Sequence, residues 1–144
     1  MRVEINLSPE IPETYAVIHG SRMTEEIRRV ASACENQDNV IAAIKEEKIV
    51  ILQPEEIYMI RVEDGKIFIY TEREKYQSGK KLYEFEESLG RDFMRISKST
   101  IVNLKKLESV ETSFHAMMYL IMKNGCKDYI TRTYLPEFKK YLGL

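Results

Sequence analysis

Apolar and polar residues alternate along much of the chain, and this period of two predicts a protein built mainly from short β strands. The predicted strands are residues 2–7, 14–19, 40–44, 49–52, 57–62, 66–71, 107–113, 116–122 and 126–131. Two of the intervening turns are clear in the sequence. Gly65 follows two acids and suits a hairpin turn, and Asn124-Gly125 has the composition of a type I′ turn.

Three segments instead repeat their apolar residues at every third or fourth position, which predicts amphipathic helices. They cover about residues 24–35, 80–89 and 134–142. Thr24 and Thr133 are the expected caps of the first and third helices, since a threonine hydroxyl accepts a hydrogen bond from the first turn. Many strands and few helices predict a mostly β fold of the α+β class.

The chain has 144 residues, of which 44% are hydrophobic and 31% charged, a composition typical of soluble globular proteins. We expect a strand–helix extension over residues 1–39, whose helix ends in the polar segment 36–39, and a second domain over residues 40–144. No apolar run approaches the roughly 20 residues that a membrane helix needs, and the first residues lack a signal-peptide core. A cytoplasmic protein is therefore expected.

The charges are unevenly distributed along the chain. Residues 91–144 contain 10 Lys and Arg against 5 Asp and Glu, whereas residues 1–90 contain 12 against 18. A basic C-terminal part suits a protein that meets an anion with this part, although chance segregation on a solvated surface would give the same numbers.

The segment from Asp92 to Leu107 combines cations, hydroxyls and an amide, which are the groups that proteins use to hold phosphates and contact base edges. Its polar residues are Arg95, Ser97, Lys98, Ser99, Asn103, Lys105 and Lys106. No acid occurs between Asp92 and Glu108. Apolar residues between the polar ones would hold them in place.

This segment resembles the signature of the LytTR-type DNA-binding domain of bacterial transcription regulators, approximately F-x-R-x-H-R-S-x-x-V-N. The matching residues are Phe93, Arg95, Ser99, Val102 and Asn103. Ser97 and Lys98 stand where the family usually has His and Arg or Asn. The resemblance covers about residues 40–142 and implies antiparallel sheets, a short central helix, a C-terminal helix, and loops that read DNA in place of a recognition helix.

The resemblance also implies which residues meet DNA. Arg95 and Arg132 are each expected to offer a bidentate fork to guanine, a pairing that discriminates between bases by about 1–3 kcal/mol. The loops that the resemblance expects to reach base edges also carry Lys66, Ser97, Lys98, Ser99 and Thr133. Phosphate contacts are expected of Lys98, Lys105, Lys106 and Lys139. Thr133 stands where the family often has a second arginine.

Two of the signature residues have structural alternatives. Arg95 could pair with Asp92 or Glu108 inside the fold instead of meeting DNA. Asn103 follows a buried strand and is expected to hydrogen-bond the turn at Lys105-Lys106.

Catalysis is not expected, and neither a cofactor, a metal ion nor a small-molecule substrate is predicted. The only histidines are His19, at a strand end, and His115, in a turn, and no phosphate loop, nucleophile elbow or zinc motif occurs. The alternative to a DNA-binding regulator is a protein–protein regulatory module that keeps the fold without DNA readout. The serine at position 97, the single arginine at position 132 and the net charge of −1 favour this alternative.

The expected partners are double-stranded DNA and a second copy of the chain, as a homodimer on repeated sites. A membrane-protein or other regulatory partner is also open, because some compact family members act with one. Many response regulators of the family carry a phospho-receiver domain of about 120 residues. Residues 1–39 are too few for such a domain, so no phosphorylation switch is expected.

Overall fold

The computed structural model describes residues 1–35, 40–113 and 117–144. The chain divides into two compact units, Met1–Gln37 and Asp38–Leu144. The predicted helix end at residues 36–39 and the turn position of His115 lie outside the described residues.

The first unit contains helix α1, Glu25–Glu35. The Oγ1 atom of Thr24 accepts a hydrogen bond from the Ile27 N–H at 3.2 Å, which confirms the predicted cap. Glu25 and Glu26 in the first turn lie at the positive end of the helix dipole, where negative charge is stabilising.

The strands predicted over residues 2–7 and 14–19 are wrong, because neither segment adopts regular structure. Alternation produces a strand only where a neighbouring strand supplies hydrogen bonds and an apolar face covers the side chains. Leu7 is 92% exposed, so nothing covers the alternating residues here. The break between the two segments is confirmed by a turn in which the Ile11 N–H donates to the Ser8 carbonyl at 3.2 Å.

The described residues of the second unit form ten strands and two helices. The strands are β1 (Ile41–Lys45), β2 (Lys48–Leu52), β3 (Met59–Glu63), β4 (Lys66–Tyr70), β5 (Lys75–Ser78), β6 (Phe93–Ser97), β7 (Thr100–Asn103), β8 (Leu107–Thr112), β9 (Met118–Met122) and β10 (Lys127–Ile130). The helices are α2 (Leu82–Ser88) and α3 (Leu135–Leu142), and short 3-10 turns cover Pro54–Glu56 and Leu104–Lys106. The mostly β, α+β prediction is therefore confirmed. No helix in the described part of the chain is long and apolar enough to cross a membrane.

The strands form two antiparallel sheets. The large sheet has the order β2-β1-β5-β4-β3-β7-β6, and the small sheet has the order β10-β9-β8. Successive strand residues point to opposite faces, so Ile60 packs with Phe85 of α2 on one face of the large sheet. Met59 packs on the other face with Leu120 of the small sheet and Phe138 of α3. The large sheet is thus the middle layer of the unit.

Strand β5 has no counterpart in the sequence prediction. Its residues, Lys-Tyr-Gln-Ser, show no apolar alternation. The strand forms because its backbone has partners on both sides: Tyr76 lies opposite Ile69 of β4, and Gln77 lies opposite Ile44 of β1.

The turn after β9 differs from the predicted type I′ turn. Ile121 pairs with Lys127, and the Met122 N–H donates to the Cys126 carbonyl at 2.7 Å, which leaves a loop of three residues. Only Gly125, with φ of 89°, has positive φ in this loop, whereas a type I′ turn needs two such residues. The register of the strands therefore selects the three-residue form, with glycine at the left-handed position.

The predicted Thr133 cap of α3 is also wrong. Tyr134 stands at the start of the helix without a side-chain hydrogen bond to it. Instead, the Tyr134 N–H donates to the Thr131 carbonyl at 3.0 Å, so a backbone turn leads into the helix. Pro136 lies in the first turn, as predicted, where its missing N–H has no partner to lose.

Candidate nucleic-acid interface

Three turns meet at one end of the large sheet. The Val62 N–H donates to the Ser99 carbonyl at 2.8 Å, which joins the β3–β4 hairpin to the β6–β7 turn. The Thr131 N–H donates to the Ile96 carbonyl at 2.9 Å, which joins the segment before α3 to the end of β6. These two backbone hydrogen bonds set the positions of the three turns relative to one another.

Besides the exposed Asp64 of the β3–β4 turn, most exposed side chains at these turns are cations and hydroxyls. They are Lys66, Lys98, Ser99, Arg132 and Thr133. The strands that begin beside Lys66 and Lys98 are separated by β3, so they lie two strand spacings, or about 10 Å, apart. Five predicted contact residues, distant in sequence, therefore lie at one end of the large sheet. Together they offer hydrogen-bond donors to an anion.

Arg95 lies on strand β6, not in a loop, and its guanidinium is engaged within the fold. Nε donates to the Ser97 carbonyl at 3.0 Å, and Nη2 donates to the Lys98 carbonyl at 2.5 Å. Nη1 lies 2.9 Å from the Glu86 carboxylate, so the acid that pairs with it comes from α2 and is neither of the acids that flank the signature. In this arrangement Arg95 holds the turn that carries Lys98.

Ser97 also lies on β6 and is 8% exposed. Its Oγ atom accepts a hydrogen bond from the Ser99 N–H at 3.2 Å and lies 3.2 Å from the Ser99 hydroxyl. The Ser97 side chain therefore shapes the turn, and the hydroxyl exposed on the surface is that of Ser99.

Lys105 and Lys106 are not part of the group at the turns. The four residues of β7 separate them from Lys98, a distance of about 10 Å or more along the strand. The Lys105 Nζ atom lies 3.4 Å from the Asp92 carboxylate. The Lys106 Nζ atom lies 5.3 Å from the centre of the Tyr58 ring, in a cation–π contact.

Lys139 is exposed on α3, and Phe138 beside it is buried against the large sheet. It follows the first residue of the helix, Leu135, by one helical turn, or about 6 Å along the axis. Lys139 is therefore on the helix that follows the Arg132 segment, one turn beyond its first residue.

Lys81 is a cation near the turns that the sequence prediction missed. A shallow cleft of about 270 Å³ is lined by Lys81, Arg95 and Lys98 together with apolar side chains that include Val62 and Leu82. Lys81 precedes a helix rich in glutamate, so its sequence surroundings do not indicate a basic surface. Only the packing of α2 against the sheet places it beside Lys98.

Glu63 is an acid close to these cations, but its charge is compensated inside the fold. Burial by itself would raise the pKa of Glu63, and hydrogen bonds from Lys75, Tyr70 and Arg61 outweigh it and lower the pKa to about 2. The Lys75 Nζ atom lies 2.7 Å from the carboxylate, and the Arg61 Nη2 atom lies 2.9 Å from it. The Glu63 carboxylate is thus paired inside the fold, and Asp64 is the exposed acid of the hairpin turn.

The predicted structural role of Asn103 is confirmed. Its side chain is 3% exposed, and Oδ1 accepts a hydrogen bond from the Lys105 N–H at 3.0 Å. Nδ2 donates to the Ile57 carbonyl at 2.9 Å. The last residue of the signature therefore anchors the chain after β7 and points into the protein.

Within the part of the chain that the structure describes, no three His, Cys, Asp or Glu side chains are grouped to hold a metal ion. Cys34 is exposed and Cys126 is half-buried, and both are free thiols. Burial raises the pKa of the Cys126 thiol, which disfavours the reactive thiolate.

A family model described as the LytTr DNA-binding domain matches residues 47–143. The sensory transduction protein LytT of Enterococcus faecalis is 31% identical over 100 residues, which are 69% of this chain and 41% of that protein. LytT of Bacillus cereus is 33% identical over 133 residues, 92% of this chain and 50% of the relative. This chain therefore spans half the length of these relatives or less.

A Staphylococcus aureus protein named as an HTH-type transcriptional regulator is 24% identical over 146 residues, and the match covers 100% of this chain and 99% of that protein. Among solved structures, the LytTr DNA-binding domain of a methyl-accepting/DNA response regulator from Bacillus cereus has a TM-score of 0.69. It is 24% identical and the match covers 74% of this chain and 99% of that domain. This structural likeness supports the fold.

Proposed function

The chain belongs to the LytTr DNA-binding domain family, and from this we propose that it is a transcription regulator that binds double-stranded DNA through the turns at one end of its large sheet. The observation that carries the proposal is the convergence of Lys66, Lys98, Ser99, Arg132 and Thr133 at that end. This function places the protein in the bacterial cytoplasm, where the chromosome lies.

Arg132 is the proposed base reader. It is exposed, and within the described residues its guanidinium has no hydrogen bond or ion pair, so its fork is available to guanine O6 and N7. Arg95 differs, because its nitrogens already bind two carbonyls and Glu86. We assign Arg95 to shaping the turn, and Lys98 to a phosphate or base edge beside it.

Lys66, Ser99 and Thr133 complete the proposed contact surface with phosphate contacts. Lys105 and Lys106 lie beyond β7 from the Lys98 turn, and Lys139 lies one helical turn into α3. All three are proposed as outlying phosphate contacts, which would add affinity and salt dependence without sequence information.

The test is DNA binding measured by fluorescence anisotropy at two salt concentrations. The duplexes are one recovered by selection from a random pool and a scrambled version of it. We expect Arg132→Ala to lose about 1–3 kcal/mol of preference for the selected duplex while keeping non-specific binding. We expect Lys98→Ala to weaken binding to both duplexes and to reduce the salt slope by about one.

Lys48→Ala is the matched control for Lys98→Ala. Lys48 is exposed, and its strand, β2, lies at the other edge of the large sheet from β6. Its removal should leave both affinities unchanged apart from a small effect of net charge. If the wild type binds neither duplex at low salt, the proposal is wrong, and a protein–protein module that keeps the fold becomes the better interpretation.

We further propose that two copies act together, as a homodimer on repeated sites. The outer face of β1 and β2 supports this, because its apolar side chains face solvent and lie side by side: Ile44 is opposite Ile49, which is 72% exposed, and Ala42 is opposite Ile51. Exposed apolar patches on soluble domains often mark protein contacts. Analytical ultracentrifugation of the wild type and of Ile49→Lys, with and without a duplex carrying two sites, tests this. The face is excluded if both proteins dimerise equally without DNA and fill the two-site duplex with equal cooperativity.

The extension over residues 1–39 is proposed as a regulatory or dimerisation segment that precedes a DNA-binding domain over residues 40–144. A membrane-protein or other regulatory partner that acts on this segment stays a prediction. Comparing the ultracentrifugation result with that of a chain that begins at residue 40 separates the two roles, because only loss of a dimerisation segment changes the number of copies per particle.

A further inference from the structure

A chain of polar side chains joins the large sheet to the small sheet directly behind the three turns. The Thr100 hydroxyl donates to the Asp128 carboxylate at 2.6 Å. The Arg61 Nη1 atom lies 3.6 Å from the same carboxylate oxygen and donates to the Lys127 carbonyl at 3.4 Å. Thr100 and Arg61 are opposite each other on β7 and β3, and Asp128 reaches them from β10.

The three side chains are shielded from water to different degrees. Thr100 is 0% exposed, and the side chains of Asp128 and Arg61 are 22% and 28% exposed. Arg61 is itself held by the Glu63 carboxylate and by the Tyr70 hydroxyl, to which Nη2 donates at 3.1 Å. The hydrogen bond from Thr100 to Asp128, at 2.6 Å, is short and directional, whereas the Arg61 contacts to Asp128 and Lys127 are longer and weaker.

Each member of this chain is close in sequence to one of the three turns. Thr100 directly follows Ser99 and Lys98. Asp128 lies on β10, four residues before Arg132, and Arg61 lies on β3, whose turn to β4 ends at Lys66. The hydrogen bond from the Thr100 hydroxyl to Asp128 is therefore a side-chain link between the turn that carries Lys98 and the strand that leads to Arg132. It acts beside the hydrogen bonds that the Thr131 N–H and hydroxyl donate to the Ile96 carbonyl.

Apolar packing alone does not supply the same precision. The two sheets also meet through buried apolar residues such as Val102 and Leu120, and apolar contact is largely non-directional. A fork that reads a base must be placed to a fraction of an ångström, whereas a lysine that meets a phosphate tolerates movement because its Coulomb energy falls slowly with distance.

We propose that Thr100, Asp128 and Arg61 are positioning residues that set the spacing between the Lys98 turn and the Arg132 segment, and so determine sequence preference more than overall affinity for DNA. This inference rests on the proposed DNA-binding function. It concerns side chains that touch no DNA themselves and act through the residues that do.

Thr100→Val tests the proposal, since valine keeps the shape of threonine and removes the donor. We expect the ratio of affinities for the selected and scrambled duplexes to fall about tenfold, with the scrambled-duplex affinity and the salt slope unchanged. Thr100→Ser keeps a hydroxyl and should restore most of the ratio. Thr71→Val is the matched control, because the Thr71 hydroxyl also donates a hydrogen bond, to the Glu74 carbonyl, but at the other end of β4.

Asp128→Asn provides a second variant that keeps an oxygen for Thr100 and removes the charge that faces Arg61. Removing an acid near DNA should raise the affinity for the scrambled duplex slightly, and loosening the joint should lower the affinity ratio. A purely electrostatic role for Asp128 would instead raise both affinities in parallel and leave the ratio unchanged.

The proposal is overturned if Thr100→Val lowers both affinities equally, or if it lowers only the melting temperature and leaves the ratio as in the wild type. A wild type that binds no duplex overturns the DNA-binding function as well. A wild type that binds with preference, together with variants that keep that preference, overturns the positioning role alone.

Discussion

The buried side chain of Asn103 makes two hydrogen bonds whose loss should be costly, and Asn124 provides an internal comparison. Asn103 bonds the Ile57 carbonyl and the Lys105 N–H. Asn124 makes the same pair of bonds, to the Thr71 carbonyl at 2.9 Å and the Cys126 N–H at 3.0 Å. The two sites differ mainly in burial: Asn103 is buried, whereas Asn124 is half-exposed.

The expected cost follows from what each substitution by alanine leaves behind. Asn103→Ala leaves the carbonyl of Ile57 without its partner at a residue that is 0% exposed, which costs about 1–3 kcal/mol. The lost bond to the Lys105 N–H, at an exposed residue, adds about 0.5–1 kcal/mol, as for a helix cap. We therefore expect Asn103→Ala to lower the free energy of unfolding by about 1.5–4 kcal/mol. Water can replace the side chain at Asn124, so Asn124→Ala should cost about 1 kcal/mol.

The assay is urea denaturation of the full chain followed by circular dichroism, with the free energy of unfolding taken by linear extrapolation. Asn103→Asp is a useful third variant, because it keeps the acceptor for the Lys105 N–H and turns the donor into an oxygen facing the Ile57 carbonyl. It should destabilise the protein at neutral pH at least as much as Asn103→Ala.

Equal costs for Asn103→Ala and Asn124→Ala would refute the reasoning, since the hydrogen bonds match and only burial differs. A cost below about 1 kcal/mol for Asn103→Ala would do the same, because a buried carbonyl without a partner cannot be that cheap.

Three further predictions concern charge and backbone conformation. Because the pKa of Glu63 is lowered from 4.5 to about 2, its carboxylate contributes stability that is fully present above about pH 4.5 and is lost as the pH falls towards 2. Glu63→Gln should therefore flatten the dependence of the unfolding free energy on pH in that window, measured by urea denaturation at stepped pH. Glu47 has φ of 67° in the β1–β2 turn, so Glu47→Gly should relieve left-handed strain and raise the unfolding free energy by about 0.5–1 kcal/mol, seen as a higher melting temperature; no change would mean that the strain is absent. Gly125 has φ of 89°, so Gly125→Ala should lower the unfolding free energy by about 1–2 kcal/mol, measured by thermal unfolding. Gly79→Ala, with no heavy atom within 4 Å of the added Cβ, should stay within about 0.5 kcal/mol of the wild type. Similar costs at both glycines would contradict this.

Local pattern was sufficient for most elements of the second unit. The β3–β4 hairpin was predictable because a two-residue turn needs positive φ, and Asp64 and Gly65, with φ of 50° and 76°, are residues that tolerate it. The short helix α2 was predictable because Leu82 and Phe85 fall on one helical face and are both buried. The structural role of Asn103 was predictable because an amide after a buried strand needs hydrogen-bond partners nearby in the chain.

Local sequence patterns did not predict which cations of the basic surface are engaged inside the fold. The sequence left open that Arg95 pairs inside the fold, but with Asp92 or Glu108. The acid that pairs with it is Glu86, nine residues earlier, and the carbonyls of Ser97 and Lys98 accept from the same guanidinium. Lys81 joins Lys98 only through the packing of α2 on the sheet.

The sequence by itself therefore determined the family, the fold class and most of the strands and helices of the second unit, because periodicity, turn residues and the signature are local properties of the chain. The tertiary structure alone decided that residues 2–7 form no strand, that β5 does, and that Lys98 and Arg132 share an edge while Lys105 and Lys106 lie elsewhere. The physical reason is the same in each case. A strand needs a neighbour, and a side chain is free or engaged according to residues far away in the chain, so neither can be read from a short stretch of sequence.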